Sequence, residues 1–141
     1  MILLDTNVVS EPLRPAADLH VLAWIDAQAI ETLYLSAITV AELRYGIAAM
    51  PMGKRRDILS RRLETEVLPL FQDRVLAFDL VDAQTYADLM VRAREAGRGI
   101  AMADGCIAAS AASRGFMVAT RDTSPFAAAG LHTINPWSAV A

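Results

Sequence analysis

Short apolar runs alternate along this chain with longer stretches of helical period. "MILL" (1–4), "TLYLSA" (32–37), "RVLAFD" (74–79), "FMVAT" (116–120) and "LHTIN" (131–135) have the length and apolar character of strands, the last at an edge. Between them the period lengthens. A brief helix over 8–13 is disturbed by Pro12 and Pro15, and 20–28 carries Leu22, Trp24 and Ile25 with helical character. "TVAELRYGIAAM" (39–50) reads as a helix closed by Pro51 and Gly53. A helix over 54–68 places Ile58, Leu59, Leu63 and Val67 on one stripe with Arg55, Arg56 and Arg62 off it, and Pro69 ends it. Further helices are expected over 81–95, with Gly97 and Gly99 just beyond, and over 100–115, with Gly115 in the C′ position. A last short turn covers 125–130.

Strands alternating with helices argue for a parallel sheet covered on both faces, an α/β three-layer sandwich in a single domain over 1–141. In such sheets ligands gather at the carboxyl ends of the strands, where strand order reverses. That directs attention to Asp5, Ser36, Asp79 and the stretch 120–122.

Composition narrows the picture. Hydrophobic residues make up 55% of the chain and charged ones 21%, which excludes a disordered polypeptide. No apolar run reaches the roughly 18–20 residues of a membrane span, and acidic Asp5 and Glu11 come too early for a signal peptide, so a cytoplasmic protein without membrane contact is expected. One cysteine, Cys106, leaves no internal disulfide and no cysteine-based zinc site. His20 and His132 sit in no ligand-spaced motif. A net charge of −3 is the wrong sign for a broad basic face on nucleic acid, so a phosphate-bearing substrate needs a local site.

Four carboxylates stand out: Asp5 ending the first strand, Asp122 following the fourth, and Glu42 and Asp104 near the starts of two helices. Each has a structural use. Thr39-Val40-Ala41-Glu42 matches a capping box, Asp104 suits a first helical turn, Asp122 suits a turn or N-cap before "SPF", and Asp5 could cap the helix after it. Against these, Asp5 ends a buried strand and Asp104 shares a face with Ile100, Ile107, Ala108 and Ala111. A single idea covers all four: carboxylates converging on one sheet edge repel and require protons or a cation. Oxygen-only ligands select a hard ion, Mg²⁺ or Mn²⁺, whose chemistry suits hydrolysis of a phosphodiester.

"LLDTNVV", "SAITVAELRYG", "ADGCIAA" and "VATRDT" together resemble the four signature segments of PIN-domain ribonucleases. Within that superfamily the chain is similar to VapC-type toxins, and the opening "MILLDTNVVSEPLRP" and closing "NPW" to their FitB-like branch. The likeness runs from Met1 to about Trp137. It implies a parallel α/β sandwich acting as a Mg²⁺- or Mn²⁺-dependent endoribonuclease. Asp5, Glu42 and Asp104 match the family's metal-binding acids, and Asp122 matches a last acid acting directly or through water. Thr120, Thr6 and Asn7 match residues that support the acids by hydrogen bonds. It also implies a homodimer and a small antitoxin, of ribbon-helix-helix type, with operator DNA bound only through the complex.

Grip on RNA is less sharply marked. Lys54, Arg55, Arg56, Arg61 and Arg62 form one basic stretch and Arg92, Arg94 and Arg98 another, each equally suited to a solvated helix face. Arg44 and Arg121 neighbour the acids in sequence and are the better candidates for phosphate contact. A haloacid-dehalogenase-like phosphotransferase needs a second Asp where this chain has Asn7, and both it and a receiver domain need a late lysine, whereas Lys54 is the only lysine. A metal-dependent hydrolase of DNA or other phosphoesters, or a catalytically silent PIN-type binding module, are the remaining alternatives.

Overall fold

The computed structural model describes residues 1–139, in which five strands form one sheet: β1 (Ile2–Leu4), β2 (Leu33–Ser36), β3 (Val75–Leu76), β4 (Met117–Ala119) and β5 (Thr133–Ile134). Their order is β3-β2-β1-β4-β5, and every pairing is parallel. The strand period of two sends neighbouring side chains to opposite faces. Leu3 and Val118 join Leu89, Ile107 and Phe126 on one side, while Leu4, Leu33, Leu35 and Ala119 join Trp24, Val40 and Leu43 on the other. Burial on both faces is why the central strands read as continuous apolar runs rather than alternating ones.

Seven α-helices among the described residues cover the sheet: α1 (Thr6–Ser10), α2 (Leu19–Asp26), α3 (Ala37–Ala48), α4 (Lys54–Arg62), α5 (Leu80–Glu95), α6 (Met102–Ala112) and α7 (Ser124–Ala128). The expected three-layer α/β sandwich is what forms. α1, α2 and α3 supply the core with Trp24, and α5, α6 and α7 the core with Phe126. Close approach of α5 and α6 depends on Gly105, where a Cβ would lie 2.8 Å from the Met90 sulfur and 2.9 Å from the Tyr86 ring.

Several local expectations are corrected. The helix expected over 54–68 stops at Arg62 and continues as a π-helical turn, Leu63–Val67, and a 3₁₀ turn, Leu68–Phe71. Pro69 sits inside that last turn rather than ending a helix. It has no N–H to donate and its ring crowds the preceding turn, so the ladder widens ahead of it and the Leu68 N–H reaches back to the Leu63 carbonyl. "RVLAFD" pairs over only two residues, because β3 lies at the sheet edge with one neighbour. Gly115, with φ of +71°, lies two residues past the Ser113 cap of α6 rather than one, and lets the Phe116 N–H turn back to the Ala111 carbonyl at 2.9 Å.

The capping box that Thr39–Glu42 could have formed is absent. α3 begins earlier, and its N-cap is Ser36, whose hydroxyl accepts from the Ile38 N–H. A true capping box opens α5 instead, between Asp79 and Asp82.

Candidate active site

Strands β1 to β3 build one half of the sheet and β4 to β5 the other, so strand order reverses between β1 and β4. Asp5 is the first residue past β1 and Thr120 the first past β4. The Asp5 N–H donates to the Ala119 carbonyl at 2.9 Å, which extends the ladder by one rung and leaves both side chains at the strand ends.

Asp5 is buried, and its two oxygens have different partners. Oδ1 accepts from the Thr6 N–H at 2.8 Å, making Asp5 the N-cap of α1. Oδ2 accepts from the Thr120 hydroxyl at 2.8 Å, and Thr120 is itself fully buried. The capping use foreseen for Asp5 is therefore real, yet it occupies only one oxygen.

Thr6 also reaches α3. Its hydroxyl donates to Glu42 Oε1 at 2.7 Å and lies 3.2 Å from the hydroxyl of fully buried Thr39. Glu42, released from any capping task, is tied to the β1 end through Thr6. Sequence reasoning passed over Thr39. The signal was in the T-x-x-E spacing, which places Thr39 beside Glu42 on one helical face and also fits a capping box.

Asp104 lies in the first turn of α6, half-buried, and Asp122 is exposed in the loop after β4, where its Oδ1 accepts from the Ser124 N–H at 3.3 Å. Thr123, not Asp122, is the N-cap of α7. The four carboxylates share one electrostatic neighbourhood. Burial pushes Asp5 above the usual aspartate range despite the hydrogen bonds from Thr120 and Thr6, and the charges of Glu42 and Asp122 push the same way. Asp104 is raised first by burial and then by the charges of Asp5, Glu42 and Asp122. Among the described residues none of the four makes an ion pair. The spacing is looser than the charges suggest: among the described residues, no three His, Cys, Asp or Glu side chains converge as closely as one shared ion demands.

Of the two arginines expected near phosphate, Arg44 points its guanidinium at Glu64, with Nε and Nη2 donating at 2.8 and 3.0 Å. Arg121 lies with its guanidinium carbon 5.1 Å from the centre of the Trp137 ring. Asn7 accepts from the Arg121 N–H at 3.4 Å and so joins the α1 start to the loop after β4. Cys106 is buried in α6, and His20 lies 3.5 Å from Asp18, where it leaves no ligand set.

This sheet order, with an acid at the end of β1 and others around it, defines a class of fold. The PIN domain model matches residues 2–131. The chain belongs to the PIN-domain family, in the VapC branch that contains FitB. It is 66% identical over 137 residues to the VapC ribonuclease Y4jK of Sinorhizobium fredii, covering 97% of this chain and 98% of that one. It is 53% identical over 137 residues to the toxin FitB of Neisseria gonorrhoeae, covering 97% and 99%. Among solved structures it superposes on FitB in a FitAB complex bound to a DNA fragment, with a TM-score of 0.96 and 50% identity over 100% of this chain and 99% of that one.

Proposed function

We propose that this chain is the toxin of a toxin–antitoxin pair and hydrolyses RNA phosphodiester bonds with the help of Mg²⁺ or Mn²⁺. The observation that carries the reading is Asp5: a buried carboxylate at the strand-order switch, within the electrostatic reach of Glu42, Asp104 and Asp122 and with no cationic side chain within ion-pair distance among the described residues. Buried anions without a counter-charge are costly. The donor set is oxygen-only, which fits a hard divalent ion. Asp5, Glu42 and Asp104 would hold it, with Asp122 beside them, and the exposed Glu42 and Asp122 side chains have the freedom to close the remaining distance. When bound, the ion supplies charge neutralisation at the phosphate and a lower pKa for water.

The chain's own residues set the stage for that chemistry. Thr120 and the Thr6 amide hold the Asp5 carboxylate in one orientation, and the Thr6 hydroxyl holds Glu42. One threonine thereby couples two acids that lie 37 residues apart, one just past β1 and one on α3. The relatives named VapC ribonuclease and FitB toxin support the reaction class and the toxin role.

The partner is a small antitoxin of ribbon-helix-helix type, and the toxin acts as a homodimer in the cytoplasm, touching operator DNA only through the complex. An apolar groove of about 230 Å³ lined by Leu13, Leu43, Ile47 and Leu59 runs up to Glu42 and suits an antitoxin segment laid across the acids. No described helix is long and apolar enough to cross a membrane.

The test is cleavage of single-stranded RNA by the purified chain. Activity should vanish in excess EDTA and return with Mn²⁺ or Mg²⁺. Cleavage that persists in excess chelator overturns the metal assignment.

A further inference from the structure

One motif plays no part among the acids: the closing Asn135-Pro136-Trp137. It converges on Arg121. Arg121 is exposed, yet three contacts from two separate segments hold it. Its N–H donates to Asn7 Oδ1 at 3.4 Å, its carbonyl accepts from Asn135 Nδ2 at 3.3 Å, and its guanidinium lies over the Trp137 ring at 5.1 Å. Asn135 also accepts from the Trp137 N–H at 2.9 Å, so one side chain both ties down the loop after β4 and sets the start of the indole's backbone. Trp137 is half-buried, with its body against the core that contains Leu4, Val8 and Val9.

An exposed arginine is normally left to solvent or paired with the nearest acid. Here Asp122 is the next residue, yet among the described residues the Arg121 guanidinium has no carboxylate within ion-pair distance. A cation–π contact uses up no hydrogen-bond donor of a guanidinium. Its N–H donors lie in the plane and stay available for the paired oxygens of a phosphodiester. In sequence Arg121 lies between Thr120, which holds Asp5, and Asp122, so its backbone sits at the rim of the acids on a chain of net charge −3. A polyanion approaching those acids meets repulsion and requires a fixed positive group next to them.

We infer that Arg121 binds an RNA phosphate flanking the scissile bond, and that Trp137, Asn135 and Asn7 are positioning residues that hold its guanidinium ready. This rests on the proposed RNA-cleaving function. Immobilising the side chain before substrate arrives removes an ordering cost from binding.

Steady-state cleavage of a single-stranded RNA with Mn²⁺ reads KM and kcat, and anisotropy of a labelled RNA on Asp5→Asn protein reads binding without cutting. Arg121→Ala should raise KM about tenfold, the loss of one charge-assisted contact, with a much smaller change in kcat. It should also lower the slope of log affinity against log salt by about 0.7, one phosphate contact on a single strand. Trp137→Leu should weaken binding by a smaller factor with the salt slope kept, and Trp137→Phe, which keeps a π face, should recover most of that loss. Asn135→Ala should act like Trp137→Leu and covers the case in which Trp137→Leu unfolds. If the parent cleaves RNA while Arg121→Ala keeps its KM and salt slope, the inference falls and the nuclease reading stands. A parent that neither binds nor cleaves RNA overturns both.

Discussion

The hydroxyl of Thr120 donates to Asp5 Oδ2 at 2.8 Å, joining the ends of the first and fourth strands across 115 positions of sequence. Both residues are buried, so this bond is a principal compensation for a carboxylate held at the end of the central strand away from water. Thr120→Val keeps the shape and removes the donor. It should lower the stability of the metal-free chain by about 1–3 kcal/mol, the cost of leaving a buried acceptor unmet. Urea midpoints compared at constant slope give the value.

Repulsion among the acids gives a second expectation. If Asp5, Glu42, Asp104 and Asp122 share an ion, Mn²⁺ binds the folded chain and not the unfolded one. Stability should then rise by about 2.7 kcal/mol at a hundredfold excess over Kd. Differential scanning fluorimetry with and without Mn²⁺ shows the shift. Asp5→Asn should abolish it, and an equal shift in that variant would place the ion elsewhere.

Much of this site was legible because its chemistry contradicts its location. An acid ending the "MILL" strand and another on the apolar face of "IAMADGCIAAS" both demand an explanation before any fold is known. Strand order was legible only as a class, since alternation of strands and helices constrains connection but not how far each strand pairs. Thr39 was left without a role because a T-x-x-E string serves equally as a cap and as one face of a helix, and only the earlier start of α3 at Ala37 decides between them. The π turn ahead of Pro69 leaves no trace in a hydrophobic stripe. The spacing of Arg121 from Trp137 in sequence, likewise, says nothing of their stacking.

Asp82 is a buried acid to which the hydrophobic pattern gives no clue. It is buried in α5, accepts from the Ser110 hydroxyl at 3.3 Å and from Arg114 Nη1 at 3.0 Å, and also takes the Ser113 hydroxyl. Burial alone would raise it, but the Ser113 hydroxyl, the Asp79 amide and Arg114 outweigh burial and hold it below the ordinary aspartate value. A lowered folded pKa contributes stability that is complete above the unfolded value of about 3.9 and is lost as pH falls through the lower folded value. Asp82→Asn should therefore destabilise the chain at pH 7 and flatten the acid limb of its stability profile. Urea midpoints between pH 7 and pH 3 provide the check.

Gly105 marks a close approach of α6 to α5. In Gly105→Ala the new methyl would meet the Met90 sulfur at 2.8 Å and the Tyr86 ring at 2.9 Å. Overpacking costs about 1–3 kcal/mol, against a gain of about 1 kcal/mol from replacing a helical glycine. A net loss is expected in thermal unfolding, and a stabilised variant would show that α5 and α6 have room to separate.

The central claim is that Asp5, beyond capping α1, serves the cleavage chemistry. Single-turnover cleavage of a defined single-stranded RNA in Mn²⁺, by the parent and by Asp5→Asn, tests it most directly. The expected result is a variant that folds at least as well as the parent, since a buried charge has been removed, and cuts no RNA. Equal cleavage rates for the two proteins would contradict the account.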